Sequence, residues 1–252
     1  MTKMKIVRVP ILPMHMVNAH LLIGTDGCIL IDAGIPGSEQ KVERALRNEK
    51  LTFKDIKLII ITHAHVDHAG GAARLRELTG APILAHEGDA KHYSRAEEMT
   101  FCPTGRFARL FYRTGFILKP YEGFTPDLLV SGHQSIDLRP YGVPGTVTHT
   151  PGHTAGSISV ELESREAMVG DLIASGILLG GIMRKGRAMR PPFEDDPHRV
   201  AEELLRLLSF GHDTFHLGHG GPIGANEVRR HADYLLGLPK RVPCCSSGSG
   251  RH

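Results

Sequence analysis

Residues 63–68 place three histidines and a carboxylate within six positions, His63-Ala64-His65-Val66-Asp67-His68. Imidazole nitrogens and carboxylate oxygens are the ligands of zinc and related divalent ions. The cluster follows directly on the apolar run Leu58-Ile59-Ile60-Ile61. A buried strand that ends in so many polar groups leaves them unsatisfied unless something pairs with them, and a cation does. On extended backbone, residues two apart point the same way. His63 and His65 are therefore expected to grip one ion, while Asp67 and His68, one step further on, turn toward a second. A polar surface turn is the plain alternative, and it does not account for this density of ligand types.

Three further places repeat the pattern of a ligand type just after a strand. His153 stands in Thr150-Pro151-Gly152-His153-Thr154, where proline and glycine shape a turn that exposes the side chain. Asp171 follows Gly170, and His219 lies between Gly218 and Gly220. Glycine lets the backbone approach such a site closely. Singly, each is what a solvated loop residue looks like. In this order, behind the first motif, they point to one metal centre.

These residues need strands to deliver them. Lys5 to Leu12, Asn18 to Gly24 and Cys28 to Asp32 read as strands, the last two joined by Thr25-Asp26-Gly27, a tight-turn signal. Asp32-Ala33-Gly34 closes that hairpin. Pro36 to Glu49 reads as an exposed amphipathic helix. Lys57 to Thr62 reads as a strand buried on both faces. A helix is expected from Ala69 to about Thr79, ended by Gly80, then a strand from Pro82 to Ala85. Short strands are expected at Gln134 to Leu138, Thr146 to Thr150, Ser157 to Leu162, Ala167 to Val169 and Thr214 to Leu217. Helices are expected at Pro197 to Leu208 and Asn226 to Leu236. Runs of strands followed by a helix, twice over, imply a layered α/β body with sheets inside and helices outside.

Two stretches stand apart. From Glu87 to about Gly132, aromatics recur at Tyr93, Phe101, Phe107, Phe111, Tyr112 and Phe116, with a short helix expected at Arg106 to Thr114. This aromatic-rich insertion, 87–132, reads as a small core of its own or as a wall over the metals. Arg184 to Pro197 is basic, proline-rich and irregular. Arg184, Lys185, Arg187 and Arg190 make it a solvated loop or a contact for an anionic substrate.

Size and composition set limits. At 252 residues, 41% hydrophobic and 23% charged, the chain is an ordinary globular one. A single domain is expected over 1–238, with 239–252 a flexible tail or tag remnant. A net charge of +3 without a long basic block argues against nucleic-acid binding. No apolar run is long enough to span a membrane. No signal-peptide pattern is seen in Met1 to Pro13, so a cytoplasmic location is expected. The 16 histidines are the unusual count. The four cysteines form neither a zinc knuckle nor a disulfide framework, and Cys28 and Cys102 read as core or lid residues.

The order H-x-H-x-D-H, T-P-G-H-T, G-D and G-H-G, over about Lys5 to Leu236, resembles the metallo-β-lactamase-fold superfamily. The resemblance implies a four-layer αββα sandwich, with the metal site at one edge between two mixed sheets. It implies that His63, His65 and His153 hold a first metal, that Asp67, His68 and His219 hold a second, and that Asp171 bridges them. Two Zn2+ ions are the expected cofactors, with Fe or Mn as alternatives. Two divalent ions lower the pKa of a shared water enough for hydroxide to attack an electrophile at neutral pH. Asp67 is placed to orient that nucleophile and carry a proton, and is the expected catalytic residue.

Fold alone does not choose the substrate. Metallo-β-lactamases commonly carry Cys or Ser where Asp171 stands. Glyoxalase II-like thioesterases carry a helical C-terminal domain for which too few residues follow His219. Acyl-homoserine lactonases often place a Tyr shortly after the bridging Asp, where this chain has Leu172-Ile173-Ala174-Ser175. The leading expectation is a dinuclear zinc hydrolase of an ester, lactone, thioester or amide. A β-lactam hydrolase is one alternative. A mononuclear iron persulfide dioxygenase using His63, His153 and Asp171 is another. The expected partner is a small molecule, partly apolar and anionic, with a homodimer left open.

Overall fold

Period-two alternation assigns each strand face to a separate core. In Cys28–Ile31 and Ile56–Ile60, successive side chains point to opposite faces. Ile29, Ile31, Leu58 and Ile60 enter one cluster with Val147, Ile158, Val160 and Met168 of a second sheet. Cys28, Leu30 and Ile59 point the other way, into a cluster with Val42, Leu46 and Leu75 from helices. A third cluster packs Ala167, Phe215 and Leu217 against Val200, Leu204, Val228 and Leu235. Three apolar layers thus separate four structural ones, and the expected αββα sandwich is present. The structure, a computed structural model, describes residues 4–180 and 183–240. Apart from its first two residues, the tail expected at 239–252 lies outside them.

The first sheet runs in chain order through β1 (Lys5–Leu12), β2 (Val17–Ile23), β3 (Cys28–Ile31), β4 (Ile56–Ile60), β5 (Ile83–His86) and β6 (Leu128–Val130). Its first three strands are antiparallel and the rest parallel. The second sheet takes β7 (Ile136–Asp137), β8 (Gly145–His149), β9 (Ile158–Leu162) and β10 (Glu166–Met168). A ribbon of β11 (Ala174–Ser175) and β12 (Ala188–Met189) follows. The second sheet is completed by β13 (Thr214–His216), parallel to β10, and β14 (Ile223–Gly224). Helices α1 (Glu39–Asn48), α2 (Val66–Ala69), α3 (Ala72–Thr79), α4 (Ala90–Tyr93), α5 (Arg106–Arg113), α6 (Ile177–Gly180), α7 (Pro197–Ser209) and α8 (Ala225–Leu236) complete the chain.

Several local expectations are corrected. Residues 62–64 form a bend, His65 is extended, and Asp67 and His68 sit on the helical turn α2. The helix expected from Ala69 is broken at Gly70-Gly71. There the 33–36 loop comes so close that a Cβ on Gly70 would lie 2.6 Å from Pro36 Cδ, and one on Gly71 2.5 Å from the Ala33 carbonyl. The 184–197 stretch is not wholly irregular, because β12 pairs with β11. Strands β6 and β14, three and two residues long, are too short to show a period. Within 87–132, Tyr93, Tyr121 and Phe124 pack into the helix-side core of the first sheet, and the stretch ends by supplying β6 to that sheet. Cys28 is a buried free thiol, whereas Cys102 is disulfide-bonded, which the cysteine spacing gave no reason to expect. Among the described residues, no helix is long and apolar enough to cross a membrane.

Helix α7 is anchored at both chemistry and fold. The Asp196 side chain accepts hydrogen bonds from the amides of His198 (2.9 Å) and Arg199 (3.1 Å), and the Asp196 amide donates to the Gly152 carbonyl at 2.8 Å, beside His153. Replacing such a cap by alanine costs about 1 kcal/mol. Asp196→Ala is expected to lower the urea midpoint accordingly; an unchanged midpoint would show that the cap contributes nothing.

Candidate metal centre

Every residue singled out lies just beyond the C-terminal end of a strand, on the same edge of the two sheets. His63, His65, Asp67 and His68 follow β4, and Asp171 follows β10 through Val169 and Gly170. His153 follows β8 and His219 follows β13. All seven are buried, at 0–7% exposure. They fall into two groups, His63, His65, His153 and Asp171, and Asp67, His68 and His219, with the ligand atoms of each group within 4.8 Å of one another.

Asp171 joins the groups. Its Oδ2 lies 2.9 Å from His219 Nε2 and 3.8 Å from His153 Nε2, and its Oδ1 lies 3.3 Å from His68 Nε2. His65 Nδ1 and His153 Nε2 face each other at 3.2 Å. Asp67 Oδ2 lies 3.4 Å from His219 Nε2 and 3.9 Å from His68 Nε2. Buried His63 Nε2 and Asp171 Oδ1 have no hydrogen-bond partner. Orphaned buried polar atoms are costly. Divalent cations would satisfy these, so the residues fit the metals that the motif implies.

Electrostatics separates the two groups. Burial, reinforced by neighbouring histidines, holds His63 and His65 well below the ordinary imidazole range. Burial also pushes His153 down to about 4. These three are neutral, the form that ligates. Burial is the largest single effect on His68 and His219 and pulls both down, but the carboxylates of Asp171 and Asp67, with Asp32 at His68, together outweigh it and raise both. Against burial, His219 and His68 hold Asp171 well below the usual carboxylate range.

Several supporting residues were not legible as such. Asp32, read only as the end of a hairpin, accepts hydrogen bonds from His68 Nδ1 at 2.8 Å and from the Thr62 amide and hydroxyl at 2.8 and 3.0 Å. That leaves His68 Nε2 for the centre. The available signal was a carboxylate ending an apolar strand. Asp89 is buried and accepts from the Ala64 and Gly156 amides and the Thr154 hydroxyl, tying the two ligand loops together. His219 Nδ1 bonds the Met16 carbonyl, and the Asn18 amide donates to the Gly218 carbonyl. A Cβ on Gly218 would lie 2.4 Å from both Asp171 Oδ1 and His68 Cε1, so only glycine fits beside the ligands. Phe101 packs on His65, with ring centroids 5.1 Å apart, and Phe193 packs on Phe101.

Residues 12–219 match the family profile of the metallo-beta-lactamase superfamily. The chain belongs to that superfamily. It is 33% identical over 156 residues to the probable metallo-hydrolase MJ0888 of Methanocaldococcus jannaschii, a match covering 62% of this chain and 66% of that one, just under two thirds. It is 28% identical over 203 residues to the hydroxyacylglutathione hydrolase GloC of Haemophilus influenzae, covering 79% and 84%. The fold is similar to that of TTHA1429, a metallo-beta-lactamase family protein of Thermus thermophilus, with a TM-score of 0.64, 22% identity and coverage of 93% and 78%. The chain is thus a metal-dependent hydrolase of the metallo-beta-lactamase superfamily, with His/Asp clusters able to bind metal.

Loss of a partner that orients a ligating histidine typically costs about 10–100-fold in metal affinity. Asp32→Ala is expected to weaken zinc binding by that factor in competition with a chromophoric chelator. Wild-type affinity in this variant would mean that Asp32 does not orient His68.

Proposed function

We propose that the chain is a dinuclear zinc hydrolase of small carboxylic thioesters and related esters. The observation that carries this reading is Asp171, whose carboxylate reaches histidines of both ligand groups. His63, His65 and His153 would hold one ion, Asp67, His68 and His219 the other, and Asp171 both. A mononuclear iron dioxygenase would use only His63, His153 and Asp171 and leave the second buried group without a role.

When bound, such ions supply Lewis acidity and lower the pKa of water toward neutrality. The chain's own residues do the rest. Asp67 Oδ1 is buried and makes no hydrogen bond, so it is free to accept a proton from the attacking water and later pass it to the leaving group. Asp32 keeps His68 in the tautomer that ligates. Phe101, Phe193 and Tyr112 form an apolar wall beside His65. That wall suits the apolar part of an acyl group and keeps bulk water away.

The relative named hydroxyacylglutathione hydrolase supports a thioester. The match spans 84% of that protein, so the short stretch after His219 does not weigh against such a substrate.

Metal analysis on protein purified without chelator or added metal tests the centre. About two zinc ions per chain are expected; one iron would overturn the reading. With metal bound, Asp67→Asn should lower kcat on a thioester by about 10²–10⁴-fold and leave KM nearly unchanged. An unaltered kcat would remove the proton role.

A further inference from the structure

A second concave site lies outside the metal centre. Helix α5, the β11–β12 ribbon and helix α8 enclose a cavity of about 480 Å³. Five arginines line it, Arg106, Arg184, Arg187, Arg190 and Arg230. Two are neutralised: Arg190 pairs with Glu194 at 2.5 Å, and Arg230 with Glu227 at 2.6 Å. Glu227 also feels Arg187. Among the described residues, Arg106, Arg184 and Arg187 form no ion pair. Three exposed arginines thus line one cavity without an ion pair of their own, and their common charge favours an anion there.

A second observation points the same way. His231 lines the cavity, is 1% exposed, and its Nε2 makes no hydrogen bond. Burial, with Arg230 and Arg190 beside it, pushes this imidazole down to about 4, so it is neutral. The remaining wall is apolar, with Phe107, Met189 and Tyr234 each 40–51% exposed.

We propose that this cavity binds a small organic anion that carries two or more negative charges and an apolar portion. Guanidinium forks pair bidentately with phosphate, sulfonate or carboxylate oxygens. Arg106, Arg184 and Arg187 take the charges, His231 offers a neutral polar contact, and Phe107, Met189 and Tyr234 cover the apolar part. The assignment does not depend on the reaction at the metals. The cavity does adjoin that centre along the chain: Ala174 lines it three residues after Asp171, and Pro192 lines it next to Phe193. The same chemistry therefore fits the acidic end of the hydrolysed substrate or a separate anionic ligand.

The chain has no tryptophan, so Tyr234→Trp places a single fluorophore in the cavity wall. The metal-loaded full chain would be titrated at low salt with 1,3-benzenedisulfonate, and with inorganic sulfate for comparison. We expect a saturable emission change, with the disulfonate binding more tightly than sulfate. Adding Arg106→Gln and Arg187→Gln should weaken binding at least tenfold. Arg74→Gln, at a surface arginine paired with Glu77 on α3, should stay within twofold. Equilibrium dialysis of the unsubstituted chain should find one disulfonate per chain. No saturable change in the low millimolar range, no bound disulfonate, or equal weakening by Arg74→Gln would overturn the proposal. In turnover assays, competition of the disulfonate with an anionic thioester assigns the cavity to the substrate's own tail, and unaltered turnover assigns it to a separate ligand.

Discussion

The carboxylate of Asp171 is the contact on which the metal edge depends. It is buried among imidazoles from three strand ends, and its negative charge is what makes His68 and His219 favourable there. Without it, five imidazoles would share a water-poor space with Asp67 as the one remaining carboxylate. Within the second sheet β10, which leads to this carboxylate, pairs with β13, which leads to His219, and His68 reaches it from the end of β4 in the first sheet. In the two-ion centre proposed above, its place between the two ligand groups gives all seven residues a role.

Around that contact, the chain spends hydrogen bonds on position. Asp32 orients His68 from the first sheet. Asp89 joins the amide of Ala64 to the turn that carries His153. The first hairpin reaches across to the far end of the molecule, where Asn18 and Arg8 bond the carbonyls of the Gly218–Gly221 segment. Each ligand loop is therefore held by an element distant in sequence. Such bracing keeps ligand atoms in place before an ion arrives, which lowers the ordering cost of binding.

Specificity is built from different material. The aromatic stretch after β5 contributes Phe101 and Tyr112, and the segment before α7 contributes Phe193. The arginines cluster on α5, α8 and the β12 region. Scaffold strands carry the chemistry while the connecting segments carry recognition, the usual division in folds that host many reactions. The basic residues Arg184, Arg187 and Arg190, which in the sequence look like a solvated loop, share one cavity with arginines from two helices.

The layered α/β body and the first ligand motif could be read from local pattern in the sequence, and the family and the grouping of candidate ligands from the resemblance that the order of the motifs carries. A strand's alternation declares its two faces, as in β3 and β4. A histidine or aspartate beside glycine at a strand end declares a site. The tertiary structure decided what depends on residues far apart in the chain. It put Asp67 and His68 on a helical turn and broke the helix after it at Gly70-Gly71, where the 33–36 loop comes close. It gave Asp32 and Asp89 their partners, it folded Tyr93, Tyr121 and Phe124 of 87–132 into the first sheet's core, and it closed the arginine cavity from three separate segments. A local pattern can specify which way a side chain points, but only the packed chain sets what stands opposite it, since that partner comes from another part of the sequence.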